Sequence, residues 1–97
     1  MKGAEIDELI AAMHSHYEHT KERQAFLELK RDEIRPGDEL SLLGFVDAQQ
    51  ELRVEQSLLA GHFHMVQEII QKKQLKVDAM TTHRLRRIGK YCQGLFL

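Results

Sequence analysis

Apolar and polar positions alternate along the first third of the chain with a steady 4-3 spacing: Ile6, Ile10, Met13, Tyr17, Thr20, Gln24, Leu27, Arg31, Ile34. The next half repeats it at Leu42, Phe45, Gln49, Leu52, Gln56, Leu59, Phe63, Val66, Ile70, Lys73 and Val77. A 4-3 alternation places each residue on one stripe of an α-helix and is the seam of heptad packing. Between the two runs stands Arg35-Pro36-Gly37-Asp38. Proline disfavours helix at the residue before it, glycine supplies a turn, and Asp38 can accept from the free N–H groups that open the next helix. The pattern predicts helix one over about 4–34 and helix two over about 39–77, folded back as an antiparallel hairpin. When paired positions sum to 76, every layer matches two seam residues, from Ile34 with Leu42 to Ile6 with Ile70. Met13 is then level with Phe63, and Tyr17 with Leu59. The layers at the open end are apolar, whereas Thr20, Gln24, Gln49 and Gln56 make the middle polar, an arrangement that costs stability and fixes register or partner choice.

Helix two carries a second apolar row, Leu43, Val46, Val54, Leu58, Met65 and Ile69. One partner helix cannot cover both rows. A third helix over about 82–93, opened by Thr81 or Thr82 and stopped near Gly94, is the expected cover, with Leu85, Ile88, Tyr91 and Cys92 on one side. Gly89 inside it costs helix stability, by about 1 kcal/mol relative to alanine. The apolar run Leu95-Phe96-Leu97 is expected to dock. The fold class is therefore all-α: a long antiparallel, coiled-coil-like hairpin plus a shorter C-terminal helix, making one domain of residues 1–97.

Charge changes the picture more than composition does. The chain has a formal net charge of -1, but residues 1–70 carry fourteen acidic and seven basic side chains, whereas residues 71–97 carry seven basic side chains and only Asp78. A basic segment of this kind meets an acidic surface, that of a second copy included, or a polyanion. The one cysteine permits no intrachain disulfide and suits a reducing compartment, and no stretch approaches the ~18 uncharged apolar residues of a membrane span. These features predict a cytoplasmic protein that does not enter membranes.

The six histidines gather in sequence at His14, His16, His19, His62, His64 and His83. In the register above, His14 lies level with His62, while His16 and His62 take the same flanking position. Imidazole ligates zinc, copper or nickel, and His16 with His19 has the i, i+3 spacing of a helical chelate, which makes His16, His19 and His62 the metal candidates. Against a metal, residues two apart point to different sides of a helix, and neither HExxH nor a repeated carboxylate–histidine motif occurs. No metal or other cofactor is expected. The alternative is a pH-responsive hairpin in which imidazolium groups of His14, His16 and His62 repel. For nucleophilic catalysis there are Ser15 and Ser57, near histidines but on long helices that offer no sheltered pocket, and Cys92, whose basic neighbours Arg86, Arg87 and Lys90 favour a thiolate but whose place on an apolar face suits a core residue. No glycine-rich phosphate loop and no GxSxG elbow occurs. The sequence points to a non-catalytic protein-binding module, an adaptor, chaperone or regulator that forms a homodimer, with Leu58, Met65, Ile69, Leu85, Ile88, Leu95 and Phe96 as partner-binding residues. The alternative is a small nucleic-acid-binding regulator using Arg84, Arg86, Arg87 and Lys90, since such a face neutralises phosphates.

Overall fold

The computed structural model describes residues 3–95, in three helices: α1 (Gly3–Glu33), α2 (Glu39–Lys73) and α3 (Ala79–Leu95). All three pairs of helices pack together. The molecule measures 55 × 22 × 19 Å, and its long axis is the length of α2, since 35 helical residues rise about 52 Å. No helix among the described residues is long and apolar enough to cross a membrane.

The turn forms as its residues dictate. Gly37 takes φ +90, the left-handed conformation that glycine adopts without steric cost. Asp38 opens α2, its carboxylate accepting from the Ser41 N–H at 3.2 Å and the Ser41 hydroxyl at 2.7 Å. An ion pair across the hairpin, Arg23 to Glu55 at 2.6 Å, marks its register. Arg23 and Glu55 sit one heptad from His16 and His62, in the same flanking positions, and so belong to the register in which seam residues sum to 76. A slip of one heptad would put Ala48 or His62 opposite Arg23 instead.

Burial along the seam is uneven. Ile6, Ile10, Met13, Tyr17 and Thr20 of α1 are buried, as are Leu52, Leu59, Phe63 and Val66 of α2. Thr20 is accommodated because its hydroxyl donates to its own helix, to the His16 carbonyl at 2.8 Å. Towards the turn, burial fades: Leu27, Ile34 and Phe45 are half-buried, Arg31 is exposed and Leu42 is half in solvent.

The cause is the position of α3. It runs parallel to α1 in the groove between α1 and α2, and it spans only the open half of the hairpin. Its start is tied to the start of α1, the Thr81 hydroxyl donating to the Asp7 carboxylate at 3.0 Å. Ile88 and Cys92 enter the core with Ala60 and Phe63, and Leu85 and Tyr91 pack against it.

Two features depart from the sequence reading. Helix α2 ends at Lys73 although its heptad pattern continues to Val77. Gln74 adopts φ 50, ψ 46 and its N–H turns back to the last carbonyls of the helix, while the Leu75 N–H reaches the Ile70 carbonyl at 3.1 Å. This is a left-handed helix stop with glutamine in the place usually held by glycine, supported by Leu75 and Val77 packing on the core. Helix α3 then starts before the threonines, because Asp78 caps it by accepting from the Thr81 N–H at 2.7 Å. That hydrogen bond holds the Asp78 carboxyl below the usual carboxylate range. The second departure is the larger one. The third helix does not cover the second apolar row of α2. It contacts α2 through Gln56, Phe63 and their neighbours, on the side of the helix opposite Val54, Leu58 and Met65, which stay exposed.

Candidate interaction surfaces

Side chains that the sequence singles out fall on three separate surfaces, and α3 sets which is which. The first is the outer row of α2. Leu40 is 84% exposed, Leu43 61%, Val54 60%, Leu58 52% and Met65 57%. Helical geometry puts all five on the side of α2 turned away from both α1 and α3. Ile69, beside this row, is half-buried and packs against the core. Phe26 and Leu29 of α1, near the turn end, are also exposed. An open hollow of about 340 Å³ there is lined by Phe26, Leu27, Ile34, Gly44, Phe45 and Ala48 among others.

The second surface is the seat of α3. Ile88 is fully buried and Leu85 is packed against the core, so these two side chains hold α3 onto the hairpin and face inward. Leu95 is half-buried, and Phe96 lies outside the described residues. The polar middle of the seam has a purpose that only the third helix reveals. The Tyr91 hydroxyl donates to Gln24 Oε1 at 2.7 Å and accepts from Gln56 Nε2 at 3.0 Å. A single phenol thus joins all three helices, and the two glutamines satisfy each other's burial through it. Burial raises the Tyr91 pKa above its ordinary value, so the hydroxyl keeps the proton it donates. The same desolvation pushes the Cys92 thiol up, which leaves it protonated and unreactive at neutral pH in spite of its basic neighbours.

The third surface is the groove between α1 and α3. Arg86, Arg87 and Lys90 are exposed, and Arg84 is half-buried beside His14. Among the described residues no three histidine, cysteine, aspartate or glutamate side chains gather as metal ligands. The reason for the histidines is directional: His14 turns towards α3, whereas His16, two residues on, faces the other flank of the hairpin, and His19 and His62 are exposed. The expected cluster of His14, His16 and His62 is therefore divided between two faces.

His14 is the histidine with an altered environment. Its side chain is only 16% exposed, its Nε2 finds no hydrogen-bond partner, and Glu18 stands 3.6 Å away. Burial lowers its pKa from 6.5, Glu18 opposes this, and Arg84, Arg87 and His83 across the interface lower it further. A histidine whose folded pKa is depressed contributes stability above its unfolded pKa and loses it as pH falls through the folded value. The fold should therefore weaken from about pH 6.5 downward, and His14→Gln should flatten that part of the profile. Thermal melts of both proteins between pH 7.5 and 5 test this; parallel curves would remove His14 as the cause.

No family model, curated protein or solved structure matches the chain. The class of molecule defined by its own geometry is an all-helical hairpin braced along half its length by a third helix.

Proposed function

We propose that the protein is a non-catalytic binding module that recognises another protein through helix–helix contacts, with the outer row of α2 as the contact surface and a second copy of the chain as its first occupant. The observation that carries this reading is the row itself: Leu40, Leu43, Val54, Leu58 and Met65 lie on one side of a 35-residue helix and none of them is buried. Single exposed apolar side chains are ordinary on soluble proteins, but two groups of them on one side of one helix, Leu40 with Leu43 and then Val54 and Leu58 with Met65, mark a surface that another can cover. Gly61 lies within the row with open space above it, so a facing backbone can approach closely there. Self-association suits the length of the chain as well, since a thin bundle of this size buries little core for itself.

The test is a double substitution, Leu58→Glu with Met65→Glu. Both side chains are more than half exposed, so helicity by circular dichroism should be unchanged. Wild-type protein should sediment as a dimer at tens of micromolar, and the variant as the 11.3 kDa monomer, an expected weakening of about tenfold or more. If the wild type is monomeric and the double variant retains all the protein partners that the wild type captures from its native cell, the outer row is not the site. The basic outer face of α3, with Arg86, Arg87 and Lys90 exposed, supports a second reading as a nucleic-acid regulator. Salt-dependent binding of labelled DNA or RNA that is lost with the arginines would favour it.

A further inference from the structure

The outer row of α2 leaves the opposite side of the molecule unassigned, and three cations there share one hollow. Arg23, Lys30 and Arg31 each have a carboxylate within 4 Å. Among the described residues none is found in that range for Arg35, Arg53, Lys72, Lys73, Lys76, Arg84 and Arg86, nor for Lys21 of α1 and Arg87 and Lys90 of α3. These three converge, with Tyr17 and Tyr91, around one open hollow of about 350 Å³ between the two helices. Lys21 Nζ stands 5.3 Å from the centre of the Tyr17 ring, and the Arg87 guanidinium carbon 5.9 Å from it. The ring of Tyr91 meets Tyr17 edge-on at 5.4 Å between centroids.

Such a rim has a defined chemistry. Two ammonium groups and a guanidinium offer only donors and three positive charges. Of the two tyrosine hydroxyls nearby, that of Tyr91 is already held by Gln24 and Gln56 on the inner side, which leaves the Tyr17 hydroxyl as the one remaining acceptor among these five side chains. A cation is repelled by the three positive charges. A single carboxylate would neutralise one charge of three and fill a small part of the space, since a water alone takes up about 30 Å³ of liquid volume. A chain of phosphate groups, all acceptor and multiply charged, matches the charge, and Arg87 can take two of its oxygens at once. The site also favours a short anion over a long strand. Glu28 is close enough to act on Tyr91, and residues 28–51 beyond it carry seven acidic and three basic side chains, so a polynucleotide backbone continuing past the hollow would meet repulsion.

We propose that the hollow formed by Lys21, Arg87, Lys90, Tyr17 and Tyr91 is a binding site for a compact oligophosphate, of the di- or triphosphate class. The ligand crosses from α1 to α3 and so relieves the repulsion between like charges that the fold holds together. Binding of this kind is independent of the outer row of α2.

The chain contains two tyrosines and no tryptophan, and both tyrosines line the hollow. Tyrosine emission and near-ultraviolet circular dichroism therefore report its occupancy directly. Inorganic tripolyphosphate, titrated at constant ionic strength, should change both signals with a dissociation constant below about 1 mM and raise the melting temperature. Lys21→Gln with Lys90→Gln, both exposed and outside the core, should weaken it at least about tenfold without altering helicity. A nucleoside triphosphate binding as tightly as tripolyphosphate, or more tightly, supports the same site with a nucleotide as the source of the phosphates. No response to tripolyphosphate at about 10 mM, well into the range of the weakest specific affinities, would overturn the proposal. Equal binding by the double variant would overturn it too. Tighter binding of a twelve-nucleotide single strand than of tripolyphosphate would replace it with recognition of a nucleic-acid backbone.

Discussion

Replacing Ile88 by alanine will cost about 2–5 kcal/mol of unfolding free energy, the usual loss for a large aliphatic side chain cut back in a closed core. Ile88 is fully buried, in one cluster with Ile10, Met13, Leu59 and Phe63, and with Cys92 it carries α3 into that cluster. The cavity opens where all three helices meet, so no single helix can shift to close it. Leu85→Ala, three residues earlier and half-buried, should cost clearly less. Urea denaturation of the two variants, followed by far-ultraviolet circular dichroism, measures both. A loss below about 1 kcal/mol for Ile88→Ala, the level of an ordinary surface-proximal change, would mean that α3 is not seated as described.

Gly89→Ala should also destabilise, although alanine is the better helix former by about 1 kcal/mol. A Cβ at Gly89 would stand 2.7 Å from Phe63 Cζ and 3.3 and 3.4 Å from the adjoining ring carbons. Phe63 is 8% exposed and held within the cluster, so its ring cannot swing out of the way without dislodging its neighbours. Overpacking of this kind costs about 1–3 kcal/mol, which leaves a net loss of up to about 2 kcal/mol once the gain in helix propensity is counted. Gly44→Ala supplies the contrast, because nothing lies within 4 Å of that position; there the propensity gain of about 0.5–1 kcal/mol should appear as added stability. Changes of the same sign at both glycines would refute the close approach of α3 to α2.

The hairpin was legible in the sequence because a heptad seam constrains it twice, once in each helix. The requirement that both seams meet selected one register, the one to which the Arg23–Glu55 pair belongs. What was not legible depended on choices between equivalent local signals. Helix α2 has two apolar rows, and nothing in their composition says which of them α3 will cover. Phe63 and Ala60 are chosen over Leu58 and Met65 because α3 also needs α1, which lies only on the seam side. The end of α2 was hidden for a different reason. Gln74 takes a backbone conformation that glycine would announce, and the stop is enforced instead by the packing of Leu75 and Val77. Gly89 was visible as a weak helix residue, but its contact with Phe63 depends on the approach of two helices and leaves no mark in the local sequence. The pairing of Tyr91 with Gln24 and Gln56 likewise joins residues 67 and 35 positions apart, and the polar seam could be read only as a cost until its partner was placed. The candidate surfaces followed suit: Leu58 and Met65 stayed outward although a third helix was expected to cover them, while Ile88 and Leu85 turned inward to serve the fold.

The short reach of α3 gives the molecule two regions of different stiffness. The braced half behaves as a root, in which opening any backbone segment disturbs a shared core. The unbraced half is an arm of two helices with Leu27, Ile34 and Phe45 only half covered, and segments with few buried contacts open at low free energy. Bending, splaying or fraying near Pro36 is therefore cheap, and it can proceed while the root stays intact. A surface that moulds the arm to its own shape would do so without disturbing the two tyrosines some distance along the rod, and each end of the protein can be occupied with little effect on the other.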